Sequence, residues 1–197
     1  MARKHDLPLH EVRRYLEPGP VVLVTSCHAG ERDVMVMGWH TVMEFSPSLI
    51  GCVISSANHS HGLVRASGEC VINLPTTRQL EAVLGVGSTT GAEIDKFAAF
   101  GAGYQTGEQV GAPLLDGCLA WLECRLLPEP HIQDTYDLFL GQVVAAWADP
   151  AVFRDGHWVT TDGGPKSIHY VAGGHFFELG EAFEASAELP ETPDNAG

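Results

Sequence analysis

A mainly β chain with short helices, wound into one closed or nearly closed antiparallel barrel, is the fold class that the sequence predicts. Three observations carry the prediction. Short apolar, β-branched runs recur along the chain with Gly, Pro and Ser turns between them. Helical periodicity is confined to a few brief segments, and the alternating βα pattern of a doubly wound parallel sheet is absent. The length, 197 residues and 21.1 kDa, fits one domain able to bury a large core, and no internal repeat or linker divides it.

Leu7 to Leu16 reads as a short helix with Leu9, Val12 and Leu16 near 3.6 periodicity, stopped by Pro18 and Pro20. Val21 to Thr25 and Val34 to Met37 are apolar strands on either side of a turn holding Ala29 and Gly30, which predicts a hairpin. Ser46-Pro47-Ser48 breaks the chain before Leu49 to Ile54, a nearly continuous apolar run suited to a strand buried on both faces. Ser60 to Ala66 fits a short helix ended by Gly68, and Cys70 to Leu74 returns to strand before Pro75.

Gln79 to Leu84 is weakly helical, and Gly85 to Gly91 reads as a glycine and hydroxyl loop. Thr90-Gly91-Ala92-Glu93 has the capping-box pattern and opens a helix through Lys96, Phe97 and Phe100. Leu119 to Leu126 alternates, with Leu122, Cys124 and Leu126 inward and Trp121, Glu123 and Arg125 outward. Tyr136 to Trp147 is a long strand with Gly141 as a candidate bulge, and Asp155-Gly156 marks a small hairpin or loop. Ser167 to Val171 and His175 to Leu179 are short extended pieces around Gly173-Gly174. From Glu178 onward there are six acids and no Lys or Arg, which predicts an acidic, mobile tail.

The formal charge of −14 and pI near 4.9 argue against nucleic acid, because a phosphate backbone demands a basic face. Any anionic ligand has to be held by local donors. Five scattered cysteines without a CxxC pair read as small core residues of a reduced, cytoplasmic protein. The N-terminus lacks the apolar stretch of a signal peptide, and no run approaches 18 uninterrupted apolar residues, so neither export nor membrane spanning is expected. The histidines include an H-x-H pair, His59 and His61, but no HExxH and no Cys and His zinc pattern, so no metal site is assigned. Gly85 to Gly91 lacks the Lys-Ser/Thr of a phosphate-binding P-loop, and no GxGxxG follows a strand.

Three constellations remain, each with a plain structural alternative. Ser55, Ser56, Asn58 and Ser60 stand at a strand-to-helix junction, where hydroxyls and free N–H groups suit a phosphate but also cap a helix. Gly38-Trp39-His40-Thr41 follows a strand and suits a planar heteroaromatic ligand, although Trp is commonly a packing residue. Lys96, followed by Phe97, either directs its ammonium into a pocket or is solvated. Taken as one unit, Met35 to Ser60 reads as a cradle for a phosphorylated, planar cofactor.

With those residues in view, the chain resembles the flavin reductase-like, FMN-binding split-barrel family, most closely its flavoredoxin branch. The matching segments run in order: PGPVVLVTS, then VMVMGWHTVMEFSPSLIGCVISSANHSHGLVRASGECVINLPT, GAEIDKFAAFG, APLLDGCLAWLECRL and PKSIHYVAGGHFFELG. The resemblance implies a split β-barrel over residues 18–181, preceded by a helical segment over 1–17 and followed by the tail over 182–197. It implies a cytoplasmic homodimer with noncovalently bound FMN near the subunit interface. By the same resemblance Asp33, Met35, Met37, Gly38, Trp39, His40 and Thr41 line the isoalloxazine, Ser55, Ser56, Asn58 and Ser60 hold the phosphate, and Lys96 reaches the cofactor. His169 and Tyr170 are further carry-overs.

Where relatives commonly read Asn-Val-Met-Thr, this chain has Asp33-Val34-Met35-Val36. An ionised Asp33 cannot donate a hydrogen bond, and a negative charge near reduced flavin opposes anion formation and tends to lower the reduction potential. The activity implied is an FMN-dependent oxidoreductase that passes electrons from NADH or NADPH to an acceptor and needs no acid, base or nucleophile of its own. Its alternatives are an FMN carrier reduced by a protein donor, and a flavin-binding protein that does not turn over. Without a dinucleotide fingerprint, nicotinamide must dock transiently over the flavin.

Overall fold

The computed structural model describes residues 8–159 and 163–183. The chain opens with a 3-10 turn (Leu9–Glu11) and α1 (Arg13–Leu16), the short helix expected before Pro18. β1 (Val22–His28) and β2 (Glu31–Met37) then pair in antiparallel register from Val22 opposite Met37 to His28 opposite Glu31. Ala29 and Gly30 turn the hairpin with φ of 51° and 86°, the two positive values that a tight primed turn needs. β3 (His40–Phe45) and β4 (Ser48–Val53) make the second hairpin. α2 (His59–Ser67) stops at Gly68, whose φ of 70° supplies the left-handed cap, and β5 (Glu69–Leu74) follows.

After a 3-10 turn capped by Thr76 (Thr77–Gln79) come α3 (Leu80–Gly87) and α4 (Lys96–Ala99). The small β6 (Tyr104–Thr106) and β7 (Pro113–Leu115) precede the long β8 (Ala120–Leu126), α5 (Pro130–Tyr136) and β9 (Leu138–Ala148). Two hairpins finish the described chain: β10 (Phe153–Arg154) with β11 (His157–Trp158), and β12 (Ile168–Val171) with β13 (His175–Glu178). The acidic-tail expectation falls largely on residues 184–197, outside the described residues.

Seven strands form one antiparallel sheet in the order β2-β1-β5-β8-β9-β4-β3. Alternate residues of six of these strands, among them Val24, Met35, Ile50, Ile72, Cys124 and Phe139, meet in a single core that Ile54, just past β4, and Val64 of α2 complete. One sheet whose inner faces all converge is curled into a barrel. The two edge strands, β2 and β3, are consecutive in sequence yet not hydrogen-bonded to each other, so the barrel is split along that seam. The outer face of β1 and β2 is also covered: Leu23 and Val34 pack beneath Val83 and Val86 of α3, Phe97 of α4 and Ile168 of β12. Burial on both faces explains why Val21 to Thr25 is uniformly apolar up to its last residue.

Several expectations are corrected. α3 runs on through Gly87 where a loop from Gly85 was expected, because Val83 and Val86 are buried in the layer over β2. Gly85 tolerates the helix because the Phe100 ring fills the space of its missing side chain; a Cβ there would lie 2.2 Å from the ring. Asp95, not Thr90, caps α4, accepting bonds from the Phe97 and Ala98 N–H groups at 3.0 and 3.2 Å. Tyr136 ends α5 rather than starting a strand; that helix buries only Gln133 and so leaves no apolar period to read. The bulge in β9 is at Val144, between the pairs Glu123–Ala145 and Cys124–Val143, while Gly141 lies in regular pairing. Glu123 occupies the outward register as expected, but it is fully buried beneath residues 108–110.

Candidate functional site

The split between β2 and β3 is bridged by Gly38 and Trp39 alone. Val53 donates its N–H to the Trp39 carbonyl at 3.0 Å, and the His40 ring nitrogen Nε2 lies 2.8 Å from the Pro20 carbonyl. The Trp39 ring stays half exposed, and its Nε1–H donates to Glu17 Oε1 at 3.2 Å, which Arg13 also binds. Trp39 therefore stands between two hollows. One, of about 460 Å³, is walled by Val36, Leu84, Gly87, Tyr170 and Phe176. The other, of about 390 Å³, is walled by His40, Thr41, Gly51, Val53 and Leu138.

Burial pushes the Glu17 carboxyl up, but the bonds from Arg13 and Trp39, the Arg13 charge and a backbone bond from Ala172 outweigh it and leave the group below its ordinary value of 4.5. A lowered carboxyl contributes stability that is present above 4.5 and lost as pH falls through the folded value. Trp39 emission, taken as the difference between wild type and Trp39→Phe, should therefore change in a step below that pH during an acid titration. Glu17→Gln should abolish the step.

At the other end of the site, β4 runs into the turn before α2. Ser55, Ser56 and Asn58 are exposed. Ser56 donates its N–H to Asp137 Oδ2 at 3.1 Å, and Asn58 donates its N–H to the Ser55 carbonyl at 2.9 Å, so the turn is rigid. Asn58 is the N-cap residue but its amide makes no capping bond. Ser56 Oγ also lies 3.5 Å from Asp137 Oδ2 and His61 donates its N–H to the Asn58 carbonyl at 3.1 Å, so the Asn58 amide, the Ser55 hydroxyl and the N–H groups of His59 and Ser60 are what is left to an external acceptor. His59 lies 2.8 Å from Glu31 and His61 lies 3.7 Å from Asp137.

Between these two ends the fold joins three residues that lie far apart in the sequence. Asp33, Ser60 and Lys96 are 2 %, 0 % and 5 % exposed. Ser60 donates its hydroxyl to Asp33 Oδ2 at 2.6 Å, Lys96 Nζ stands 3.5 Å from Asp33 Oδ1, and the same ammonium donates to the Val34 carbonyl at 2.8 Å. Gly91 passes directly over the carboxylate, where a Cβ would lie 2.3 Å from Oδ1. Ser60 is thus spent on Asp33 and does not present its hydroxyl to an anion at the turn. The Val34 carbonyl faces away from β1, so by strand alternation Val36 also turns its N–H and C=O toward the open edge of β2.

Other expected positions are placed differently from one another. Met35 and Met37 point their side chains into the barrel core, and by the same alternation their N–H and C=O groups face β1, so neither offers a ligand a free group. His169 lies within 3.1 Å of Ser167 Oγ and 3.2 Å of the Pro18 carbonyl, and so ties the β12–β13 hairpin to the chain before β1. Tyr170 does reach the larger hollow. Leu84 and Phe176 carry no chemical signal of their own in the sequence, whereas Val36 stands out there only as a departure from the relatives' pattern and Gly87 only as part of the glycine-rich segment.

Residues 13–168 match the family described as flavin reductase like domain. The chain belongs to that family. This flavin reductase-like protein is 34% identical to the uncharacterized protein YddH of Escherichia coli, over 94% of this chain and all of that one. It superposes with a TM-score of 0.81 and 37% identity on an FMN-binding domain of a flavin reductases-like enzyme from Shewanella baltica, covering 91% of this chain and 96% of the other. The flavoredoxin of Desulfovibrio vulgaris shares the fold, with a TM-score of 0.75 at 22% identity over 87% and 91% of the two chains. The mainly β fold with short helices is that of the FMN-binding split barrels. Among the described residues no helix of this flavin reductase-like chain is long and apolar enough to cross a membrane.

Proposed function

We propose that the protein binds FMN noncovalently and works as an oxidoreductase, passing electrons from NADH or NADPH through the flavin to an acceptor. The observation that carries this reading is the pairing, at the two ends of β2, of a donor-bearing turn at Ser55 and Asn58, set beside Glu31 through His59, with an aromatic, apolar wall at Trp39, Val36 and Tyr170. The donors fit a phosphate and the wall fits a planar ring. When bound, FMN would supply the hydride and electron chemistry. The chain's own part is to hold the phosphate at the start of α2, present backbone groups of β2 to the ring edge and exclude water from the ring face at Trp39.

Anaerobic titration of the FMN-loaded protein with NADH and NADPH, monitored at the flavin absorbance, tests the reading. Rapid bleaching by either is the expected result, and protein that takes up no FMN would sink it. An electron-carrying role is the second reading, favoured by the charge of −14, which suits a basic protein partner; reduction by a protein donor alone would select it. A cytoplasmic homodimer completes the proposal. Val42, Met43 and Phe45 leave β3 an exposed apolar edge strand, which a second copy would cover.

Asn58→Ala should weaken FMN binding about tenfold or more, the loss of roughly 1.5 kcal/mol or more expected for one hydrogen bond to a charged acceptor. Riboflavin, which has no phosphate, should bind wild type and variant alike. Equal losses for both ligands in a fluorescence titration would move the phosphate away from this turn.

A further inference from the structure

The sequence alone makes Asp33 a lone negative charge at the ring edge. The geometry does not. We propose that Asp33 masks Lys96, so that the edge of β2 facing the flavin is electrically neutral and the ammonium lends the reduced cofactor little stabilisation. The inference rests on the FMN reading above.

Lys96 has a defined place. Its ammonium donates to the Val34 carbonyl on the open edge of β2 and lies 3.5 Å from the Asp33 carboxylate. Both side chains are all but closed to solvent, and Ser60 binds the second carboxylate oxygen at 2.6 Å. Water therefore screens neither charge, and the pair acts on its surroundings as a sum. Nearby, Arg32 stands 3.8 Å from Asp95 and His59 lies 2.8 Å from Glu31, and both of these contacts are open to water where the Asp33–Lys96 pair is not. An unmasked lysine at a flavin edge favours the anionic reduced ring, whereas an unmasked aspartate opposes it. The pair with Lys96 cancels both tendencies. Asn at position 33 would keep an oxygen toward Lys96 and turn its –NH₂ toward Ser60 Oγ, which can accept, while removing the negative charge.

Redox potentiometry of the FMN-loaded protein tests the proposal. Asp33→Asn should shift the midpoint potential upward, with reduced FMN gaining about tenfold in affinity over oxidised FMN, or about 30 mV for a two-electron couple. Lys96→Met should shift it downward. The double variant, which restores a neutral sum, should return to the wild-type potential. A merely structural role would weaken both redox forms alike and leave the potential in place. An unchanged potential in Asp33→Asn overturns the proposal, as does a double variant that fails to return, and Asp33→Asn decides alone if Lys96→Met does not fold. Wild-type protein that takes up no FMN overturns the cofactor reading and this inference together, while FMN uptake with unmoved potentials overturns this inference only.

Discussion

Asp33→Ala should lower the unfolding free energy by about 3–5 kcal/mol, because it leaves a buried ammonium without its counter-charge. Lys96 is only 5 % exposed and keeps just the Val34 carbonyl, while Ser60 loses its acceptor. The loss should appear as a lower midpoint in urea at unchanged slope, measured on the cofactor-free protein. Asp33→Leu combined with Lys96→Met should recover most of it, since removing both charges also removes both desolvation penalties. A single-variant loss below about 1 kcal/mol would mean that water reaches the ammonium and that the pair is not closed.

Glu123→Leu should cost about 3 kcal/mol or more. The fully buried carboxylate accepts backbone N–H groups of Glu108, Gln109 and Val110 at 2.7, 2.5 and 2.8 Å, and leucine strands all three at roughly 1–3 kcal/mol each. Glu123→Gln should also destabilise, because its amide –NH₂ would face N–H donors on one side. Hydrogen exchange gives the local signature: the amides of residues 108–110 should lose protection first, ahead of the barrel strands. Retained protection at those amides in Glu123→Leu would show that the loop is held by something other than the carboxylate. Freed from Glu123, this loop would no longer cover Val71 on the outer face of β5, where Val110 and Ala112 pack.

How much of this was legible beforehand follows from the range of each interaction. The β1–β2 hairpin, β4, α2 with its Gly68 cap and β5 were all readable, because strand alternation, turn residues and capping act over a few positions. Glu123 was placed on the correct face for the same reason, yet its burial depends on a loop that lies 13 to 15 residues away. The end of α3 was misread because glycines in a helix look like a loop until Phe100 is seen filling the space beside Gly85. Met35 and Met37 could be assigned to a strand, but which neighbours faced the core and which faced the open edge required the sheet.

At the candidate site the same division holds. Sequence by itself determined the ingredients: an aromatic segment at Trp39, a hydroxyl-rich turn ahead of a helix, and the scarcity of basic residues that forces any phosphate onto neutral donors. These are local composition and local geometry. Only the tertiary structure decided that Asp33, Ser60 and Lys96 are one buried group, although Lys96 lies 62 residues from the strand carbonyl it binds. A charge that reads as isolated in sequence is neutralised by its fold neighbours, because electrostatic energy depends on distance in space and on access to water, and a linear sequence states neither.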